Sequence, residues 1–201
     1  MTEQLQEWLG PKCTGIKING QNYHFLNQPQ RQVKFCEAVH YSFKLPLQIT
    51  NQTLGCPGAR RSFGFDQPGA ELTAMISENT GIPFDYVEDA LDKIPVMDPA
   101  VENIVLGIPQ DLEEEINPDL YISYTHPDNV MRLIHHLARY EIKPLISPYS
   151  IHSICGNVFA KAYHQQEVTV SFGCPESRNY GGVAPDQVIV GIPGALAKRF
   201  I

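Results

Sequence analysis

The sequence predicts an α/β fold in which a mixed sheet is flanked by helices, and three observations support this prediction. Strand-like and helix-like segments alternate through the second half of the chain. The pattern Gly-Cys-Pro-x-small-Arg occurs twice, at residues 55–60 and 173–178. A strand-like run that ends in Gly-Ile-Pro also occurs twice, at residues 105–109 and 188–193. These two repeated motifs predict an internal pseudo-repeat, although each motif is too short to establish a duplication.

The length and composition fit a single globular domain. The chain has 201 residues, of which 43% are hydrophobic and 18% are charged, so it can bury a sizeable core and does not have the composition of a disordered protein. We therefore expect one α/β domain over residues 1–201, with an N-terminal helix extension in residues 1–12. Gly10 and Pro11 are expected to end that helix.

Hydrophobic periodicity and turn residues place the individual elements. Strands are predicted at residues 14–19, 46–50, 103–108, 120–125, 142–146, 168–172 and 188–190. Helices are predicted at residues 2–9, 33–41, 59–65, 71–79, 85–94, 129–140, 153–163 and 193–200. The sixth helix is the clearest, because apolar residues such as Val130, Leu133 and Leu137 recur at intervals of three and four positions. Residues 21–32 are expected to form a loop.

Charge and cysteine usage narrow the class of protein. Acidic residues outnumber basic ones by 22 to 15, and no basic run with interleaved aromatic residues occurs, so nucleic acid is not an expected partner. No apolar run is long enough to span a membrane, and the N-terminus lacks the order of a signal peptide. We therefore expect a cytoplasmic protein without a membrane partner. Five cysteines in that reducing compartment indicate metal binding or redox chemistry rather than disulfides.

Each Gly-Cys-Pro copy follows a strand-like run and places a cysteine where a helix can begin. Proline then occupies the first helical position, where its missing N–H is not needed. Unpaired backbone N–H groups and the positive end of the helix dipole favour a thiolate there, so we expect lowered pKa values for Cys56 and Cys174. Two inert, buried cysteines in strand-to-helix turns are the plainer alternative.

Four of the five cysteines fall into two pairs of similar spacing. Cys36 precedes Cys56 by twenty positions. Cys155 precedes Cys174 by nearly the same number, and Cys13 has no partner at such a distance. None of them lies in a Cys-x-x-Cys motif, so the fold must assemble any site. Four dispersed thiolates suit either a [4Fe–4S] cluster or a structural zinc ion, and spacing does not separate the two.

Residues beside the cysteines favour the cluster and suggest further candidates. Proline is found next to cluster ligands, and neighbouring glycines let the backbone approach an inorganic core closely. The arginines beside the turns, Arg60, Arg61 and Arg178, are candidates for binding an anionic substrate or for balancing the charge of thiolates. His152 precedes Cys155 by three positions, which is a ligand spacing on a helix.

Taken together, these motifs resemble a known family. They are residues 35–39 (Phe-Cys-Glu-Ala-Val), 56–65 (Cys-Pro-Gly-Ala-Arg-Arg-Ser-Phe-Gly-Phe), 155–158 (Cys-Gly-Asn-Val) and 171–178 (Ser-Phe-Gly-Cys-Pro-Glu-Ser-Arg). From about residue 14 onward the chain is similar to the domain-of-unknown-function family one hundred and sixty-nine, which occurs in archaea, notably methanogens, and in anaerobic bacteria. The resemblance brings no established reaction. It implies that Cys13 is incidental and that the family's four cysteines are Cys36, Cys56, Cys155 and Cys174.

Three hypotheses about function follow. The first is an iron–sulfur protein of an anaerobe, in which those four cysteines hold a [4Fe–4S] cluster that carries electrons. In a variant of this hypothesis, three cysteines hold the cluster, one iron stays open to bind a small molecule, and the fourth cysteine is a reactive thiol. Its partner would be a redox protein or a small anionic molecule. The second is a zinc-stabilised binding or regulatory module without catalysis. The third is a metal-free thiol enzyme with Cys56 or Cys174 as the nucleophile.

Overall fold

Seven strands form one mixed sheet in the computed structural model, which describes residues 3–66, 70–98 and 100–200. The strands are β1 (Cys13–Ile18), β2 (Leu47–Thr50), β3 (Asn103–Leu106), β4 (Leu120–Thr125), β5 (Leu145–Ile146), β6 (Thr169–Ser171) and β7 (Val188–Pro193). Their order across the sheet is β2-β3-β1-β4-β7-β6-β5. The β5–β6 pair is parallel, and the other neighbouring pairs are antiparallel. The predicted α/β fold with a mixed sheet is confirmed.

Helices flank this sheet, and those that the sequence predicted lie close to their predicted positions. The α-helices are α1 (Glu3–Leu9), α2 (Phe35–Ser42), α3 (Pro57–Ser62), α4 (Ala70–Thr80), α5 (Phe84–Asp92), α6 (Glu113–Ile116), α7 (Pro127–Ala138), α8 (Lys161–Gln165), α9 (Pro175–Asn179) and α10 (Gly194–Ala197). A π-helix spans Ser153–Ala160, and 3₁₀ helices span Gln110–Leu112 and Lys198–Phe200. The predicted start of the first helix, at residue 2, lies outside the described residues. Within the described ranges, no helix combines the length and the apolar character that a membrane crossing needs.

One face of the sheet, here called the cleft face, packs against α2, α3 and the π-helix. Its strands contribute buried side chains such as Ile16 and Ile122. Three mutually packed rings, those of Phe35, Phe63 and Phe159, belong to the same core. Side chains alternate between the two faces of a strand, so this core holds every second residue of the central strands.

The opposite face packs against α1, α7 and α10. Trp8 of α1, Leu133 of α7 and Leu196 of α10 share a second buried cluster with Val190 of β7. The Thr125 hydroxyl donates a hydrogen bond to the Trp8 carbonyl at 3.1 Å, which ties α1 to β4. The N-terminal helix that was expected as an extension is therefore packed on the sheet.

Helices α4 and α5 form a smaller third cluster beside the cleft face. Leu72 and Ile76 of α4 pack with Leu91 of α5. Ile94 and Ile151 join the same cluster, which places this helix pair next to the start of the π-helix. The pair thus forms a wall beside the cysteine-bearing segments.

The strands next to the two repeated motifs are paired in a similar way in the sheet. Strand β2, which precedes the first Cys-Pro turn, pairs antiparallel with β3. Strand β6, which precedes the second turn, pairs antiparallel with β7. Gly-Ile-Pro follows β3 at residues 107–109 and ends β7 at residues 191–193. The internal pseudo-repeat itself stays a prediction.

The packed rings of the cleft face give a test of this core. Phe159 is fully buried, and its ring centroid lies 5.2 Å from that of Phe35 and 4.9 Å from that of Phe63. We expect Phe159→Ala to lower the free energy of unfolding by about 3–5 kcal/mol, because it removes buried area and leaves a cavity. Urea denaturation measures this change. Leu45 is 52% exposed, so Leu45→Ala should change the same quantity by less than about 0.5 kcal/mol. Similar losses in both variants would contradict the packing described.

Candidate functional site

A cleft with a volume of about 620 Å³ opens beside the cleft face, and four cysteines from four different elements line it. Cys36 is in the first turn of α2, and Cys155 is in the π-helix. Cys56 and Cys174 immediately precede α3 and α9. The structure therefore brings together the four cysteines that the sequence singled out, and we call this place the four-cysteine cleft.

Cys13, the fifth cysteine, lies apart from the cleft. It is the first residue of β1, and its side chain packs against the second core, on the face opposite to that of Ile16. Burial, together with the charge of Glu113, raises the pKa of Cys13 to about 12. Its position agrees with the expectation that Cys13 is incidental to the site.

Cys56 caps α3, and Pro57 occupies the first helical position as predicted. Burial nevertheless raises the pKa of the Cys56 thiol above its ordinary value, although backbone N–H groups of Ala59 and Gly58 and the Lys34 ammonium act in the opposite direction. The predicted lowering of the Cys56 pKa is wrong. A thiolate at this position loses more stabilisation by water than the backbone N–H groups at the start of α3 provide.

The other thiols of the cleft affect one another. Burial raises the pKa of Cys36 and that of Cys155. Charge on Cys56 or Cys174 raises both pKa values further, so the four sulfurs lie within electrostatic reach of each other. A cation placed among them would offset both effects, because it stabilises every thiolate at once.

The turn at Cys174 is held by short-range hydrogen bonds. The Cys174 N–H donates to the Ser177 hydroxyl at 2.8 Å, and that hydroxyl donates to the Cys174 carbonyl at 2.8 Å. Gly173 has a φ of +99°, and a Cβ at this position would lie 3.0 Å from the Ser177 hydroxyl oxygen. The Cys36 thiol donates to the carbonyl of Glu176 at 3.6 Å, which joins α2 to α9.

Arg178 holds the loop on the other side of α9. Its guanidinium donates hydrogen bonds to four backbone carbonyls, those of Phe172, Val183, Ala184 and Gln187. This arginine therefore organises the segment that carries Cys174 and is not among the residues that line the cleft.

The other two predicted arginines also have structural partners. Arg60 pairs with the Asp66 carboxylate, at 2.9 Å for its Nη2, and donates to the carbonyl of Leu54 at 3.0 Å. Arg61 donates to the carbonyl of Ile94 at 3.2 Å. Neither lines the cleft. Anion binding by Arg60, Arg61 and Arg178 stays a prediction.

Lys34 lines the cleft beside Glu176, and sequence analysis did not identify it as a site residue. It precedes α2 and forms an ion pair with Glu176 of α9, 142 positions away. Its ammonium also lies 4.1 Å from the centroid of the Tyr180 ring. Burial opposes protonation, but the hydrogen bond and charge of Glu176 raise the pKa of Lys34. Only the tertiary structure brings these partners together, so no local pattern could have identified them.

The π-helix gives the site an uncommon backbone. His152, just before it, has a φ of 44°, and its carbonyl accepts a hydrogen bond at 2.9 Å from the N–H of Asn157, five residues on. Such helices are rare and occur frequently at functional sites. The predicted helix at residues 153–163 is therefore divided into this π-helix and α8.

His152 also lines the cleft, as its spacing from Cys155 suggested. A Cβ at Gly58 would lie 2.2 Å from its Nε2, so only glycine fits beneath the ring. Its Nδ1 is buried and has no hydrogen-bond partner among the described residues. Burial and the charge of Arg61 lower the pKa of His152 to about 4, so the ring is neutral at physiological pH.

A single-ion geometry is not found at the cleft. Within the described part of the chain, no three His, Cys, Asp or Glu side chains are grouped so that they could hold a metal ion. Metal binding by the four cysteines therefore stays a prediction.

These features define a mixed α/β protein with a four-cysteine cleft beside one face of its sheet. A profile of the DUF169 family, described as "Uncharacterised ArCR", matches residues 13–201, and the chain belongs to this family. The resemblance seen in the cysteine motifs is thereby confirmed. The chain is also similar to "Uncharacterized protein MJ0308" of Methanocaldococcus jannaschii, with 27% identity over 185 residues that cover 90% of this chain and 78% of that protein. No solved structure matches it.

The carbonyl contacts of Arg178 give a second test. Arg178→Met keeps most of the aliphatic stem and removes every donor, so we expect the free energy of unfolding to fall by about 1.5–3 kcal/mol. Chemical denaturation of the metal-free protein measures the change. Arg132→Met is the matched control, because Arg132 is exposed and pairs only with Asp128 of its own helix, among the contacts described. That control should lose about 0.5 kcal/mol or less. Equal losses would show that the carbonyl contacts contribute nothing specific.

Proposed function

We propose that this protein binds an iron–sulfur cluster, a [4Fe–4S] cluster in the simplest case, in the four-cysteine cleft. The observation that carries the proposal is the convergence of Cys36, Cys56, Cys155 and Cys174 on one cleft from four separate elements. Four cysteine thiolates are the usual ligand set of such a cluster. The family assignment supports no particular reaction, so the proposal rests on the site.

The cleft has room for this group. A [4Fe–4S] core contains eight atoms, and at about 30 Å³ for each, the share of a water molecule in the liquid, it fills on the order of 240 Å³. The cleft volume is about 620 Å³. The thiolates of a cluster bind different iron atoms and stand farther apart than those around one zinc ion. A cluster site therefore requires four cysteines that line one cleft, and it does not require four sulfurs around a single point.

The electrostatics of the cleft also fit a metal group. The thiols of Cys36, Cys56 and Cys155 are neutral in the metal-free protein because burial raises their pKa values. They become ligands by releasing protons to solvent as the metal binds. The bound cluster would supply one-electron redox chemistry, while the Lys34 ammonium, which favours the thiolate of Cys56, would balance part of the ligand charge.

The unused volume favours small-molecule binding beside the cluster over electron transfer alone. More than half of the cleft remains beyond the estimated volume of a cluster. One wall comes from α4 and the loop after it, namely Met75, Ile76, Asn79, Thr80 and Ile82. This wall is mainly apolar, and Lys34 at the rim is paired with Glu176. We therefore expect a small, largely apolar molecule with little net charge as the ligand.

A structural zinc ion is the second candidate, because four thiolates are a zinc ligand set. It has less support than the cluster, since the described residues show no group of three ligands around a single point. A metal-free thiol enzyme has less support. Burial raises the pKa of Cys56, so this thiol is mainly protonated at neutral pH and a poor nucleophile.

Purification without oxygen, followed by absorption spectroscopy and assays of iron, acid-labile sulfide and zinc, tests the cluster. We expect a brown protein with near-equal iron and sulfide. Single substitutions of Cys36, Cys56, Cys155 or Cys174 by Ala should each lower both contents at least several-fold, because each removes a ligand. Cys13→Ala should retain them, because Cys13 lies on the other face of the sheet.

Circular dichroism on every variant separates ligand loss from misfolding. Stoichiometric zinc without sulfide would replace the cluster by the second candidate. Wild-type protein without any metal, after purification and after reconstitution with iron and sulfide, would refute both metal proposals.

The open part of the cleft can be tested with toluene, a small apolar molecule that does not ligate iron. We expect toluene to alter the electron paramagnetic resonance spectrum of the reduced, cluster-loaded protein, because it would change the surroundings of the cluster. Asn79 is exposed and lines the cleft, so Asn79→Trp should fill its outer part and weaken toluene binding by about tenfold, or about 1.4 kcal/mol. Glu78→Trp, at the neighbouring exposed position outside the cleft lining, should leave toluene binding unchanged. A spectrum indifferent to toluene would favour electron transfer alone.

A further inference from the structure

His152 brings a polar ring to the wall of the four-cysteine cleft, and the surrounding fold does not use its nitrogens. Its Nδ1 is enclosed and has no hydrogen-bond partner among the described residues. Its Nε2 also has no hydrogen bond among them, yet this atom is not enclosed. Buried polar groups almost always have a partner, and a leucine would fill the space without the penalty of an unpaired one. The imidazole therefore requires an explanation.

The backbone and a glycine hold this ring in place. His152 has a φ of 44°, a left-handed conformation that residues other than glycine rarely adopt. Its carbonyl accepts hydrogen bonds from the N–H groups of Gly156 at 3.0 Å and Asn157 at 2.9 Å. The ring lies against Gly58, where a Cβ would come within 2.6 Å of three ring atoms. Such conformations persist where the surroundings enforce them, and they cluster at ligand-binding sites.

The hydrogen of the ring belongs on Nε2. Burial lowers the pKa of His152, so in the neutral ring one nitrogen carries a hydrogen and the other is an acceptor. An enclosed N–H without an acceptor is rarer in proteins than an enclosed acceptor without a donor. Nδ1 is the enclosed nitrogen, so it is the acceptor. The Nε2–H is then an unused donor next to Gly58, which also lines the cleft.

The buried hydroxyls of the cleft wall are already engaged within the fold. The Ser153 hydroxyl is paired with that of Ser171 at 2.7 Å. The Ser177 hydroxyl donates to the Cys174 carbonyl at 2.8 Å. Apart from the cysteines, the remaining uncharged polar residues of the described lining are exposed. His152 thus combines partial burial with an unused donor, in a cleft whose wall is mainly apolar.

We propose that the Nε2–H of His152 donates a hydrogen bond to a carbonyl oxygen, or an equivalent acceptor, of an uncharged and largely apolar small molecule in the four-cysteine cleft. This proposal rests on the small-molecule binding proposed above, and it specifies the class of ligand. An isolated donor in a mainly apolar site favours molecules that bring an acceptor to it, because a buried donor without a partner is costly.

Acetophenone and toluene test the proposal on the protein purified without oxygen. Acetophenone has a carbonyl oxygen, whereas toluene has no such acceptor. We expect His152→Leu to weaken acetophenone binding about tenfold and toluene binding less than about twofold, as measured by isothermal titration calorimetry. His152→Gln should bind acetophenone within about threefold of the wild type, because its amide is also a donor. Both variants place a residue other than glycine in the same left-handed conformation, so the backbone affects them alike.

His40→Leu is the matched control. The Nδ1 of His40 is likewise enclosed and without a partner among the described residues. A Cβ at Gly182 would lie 2.4 Å from this nitrogen, so the ring packs on a glycine, as that of His152 does. His40 is not among the residues that line the cleft. We expect His40→Leu to bind both molecules as the wild type does.

Infrared difference spectroscopy with isotope-labelled acetophenone reports directly on the hydrogen bond. A donor to the carbonyl oxygen weakens the C=O bond. The stretching band should therefore lie at lower frequency in the wild-type complex than in hexane solution, and it should stay low in His152→Gln. In His152→Leu it should return toward the hexane value. A residue that only shapes the cleft would not produce this difference, and the comparison with hexane holds even if His152→Leu does not fold.

The outcomes separate this proposal from the others. Equal weakening of both molecules by His152→Leu would overturn the hydrogen bond, as would a wild-type carbonyl band at the hexane frequency. Wild-type protein that binds toluene but not acetophenone would overturn it while leaving small-molecule binding in place. Failure of both molecules to bind would refute small-molecule binding together with the role of His152. Iron and sulfide content, measured on the same samples, decides the cluster separately.

Discussion

The poor solvation of thiolates in the cleft is the constraint on which the rest of the site depends. Burial and mutual repulsion keep Cys36 and Cys155 protonated in the metal-free protein. Neutral thiols can share one buried place without electrostatic repulsion, whereas free thiolates cannot. A metal group changes the sign of this interaction, because its positive charge makes each additional thiolate favourable. The same burial that weakens Cys56 as a nucleophile therefore suits it to be a ligand.

The fold meets this constraint by fixing the backbone around each cysteine rather than by surrounding the sulfurs with charge. Proline starts the helices after Cys56 and Cys174, and the π-helix presents Cys155. The guanidinium of Arg178, which the sequence suggested for an anion, is occupied by the carbonyls of the loop beyond α9. Positive charge near the sulfurs comes instead from Lys34, in a pair with Glu176.

Local patterns predicted most of the elements and the cysteine set, whereas the short helices α6 and α9 were not among the predicted helices. Alternation and period placed β4 and α7, and the repeated Gly-Cys-Pro pattern identified two of the four cysteines that meet in the cleft. The order of the strands and the Lys34–Glu176 pair depend on contacts between distant segments, which a single sequence does not encode locally. The pKa of Cys56 was mispredicted for the same reason, since burial is a property of the whole fold.

The sheet order also explains why the site needs the whole chain. Strands β2 and β3 lie on one side of the central β1–β4 pair, and β7 and β6 lie on the other. Cys36 and Cys56 belong to the first half of the sequence, and the other two cysteines belong to the second. Neither half can supply four thiols alone. Any group bound by all four cysteines would therefore join the two halves of the chain.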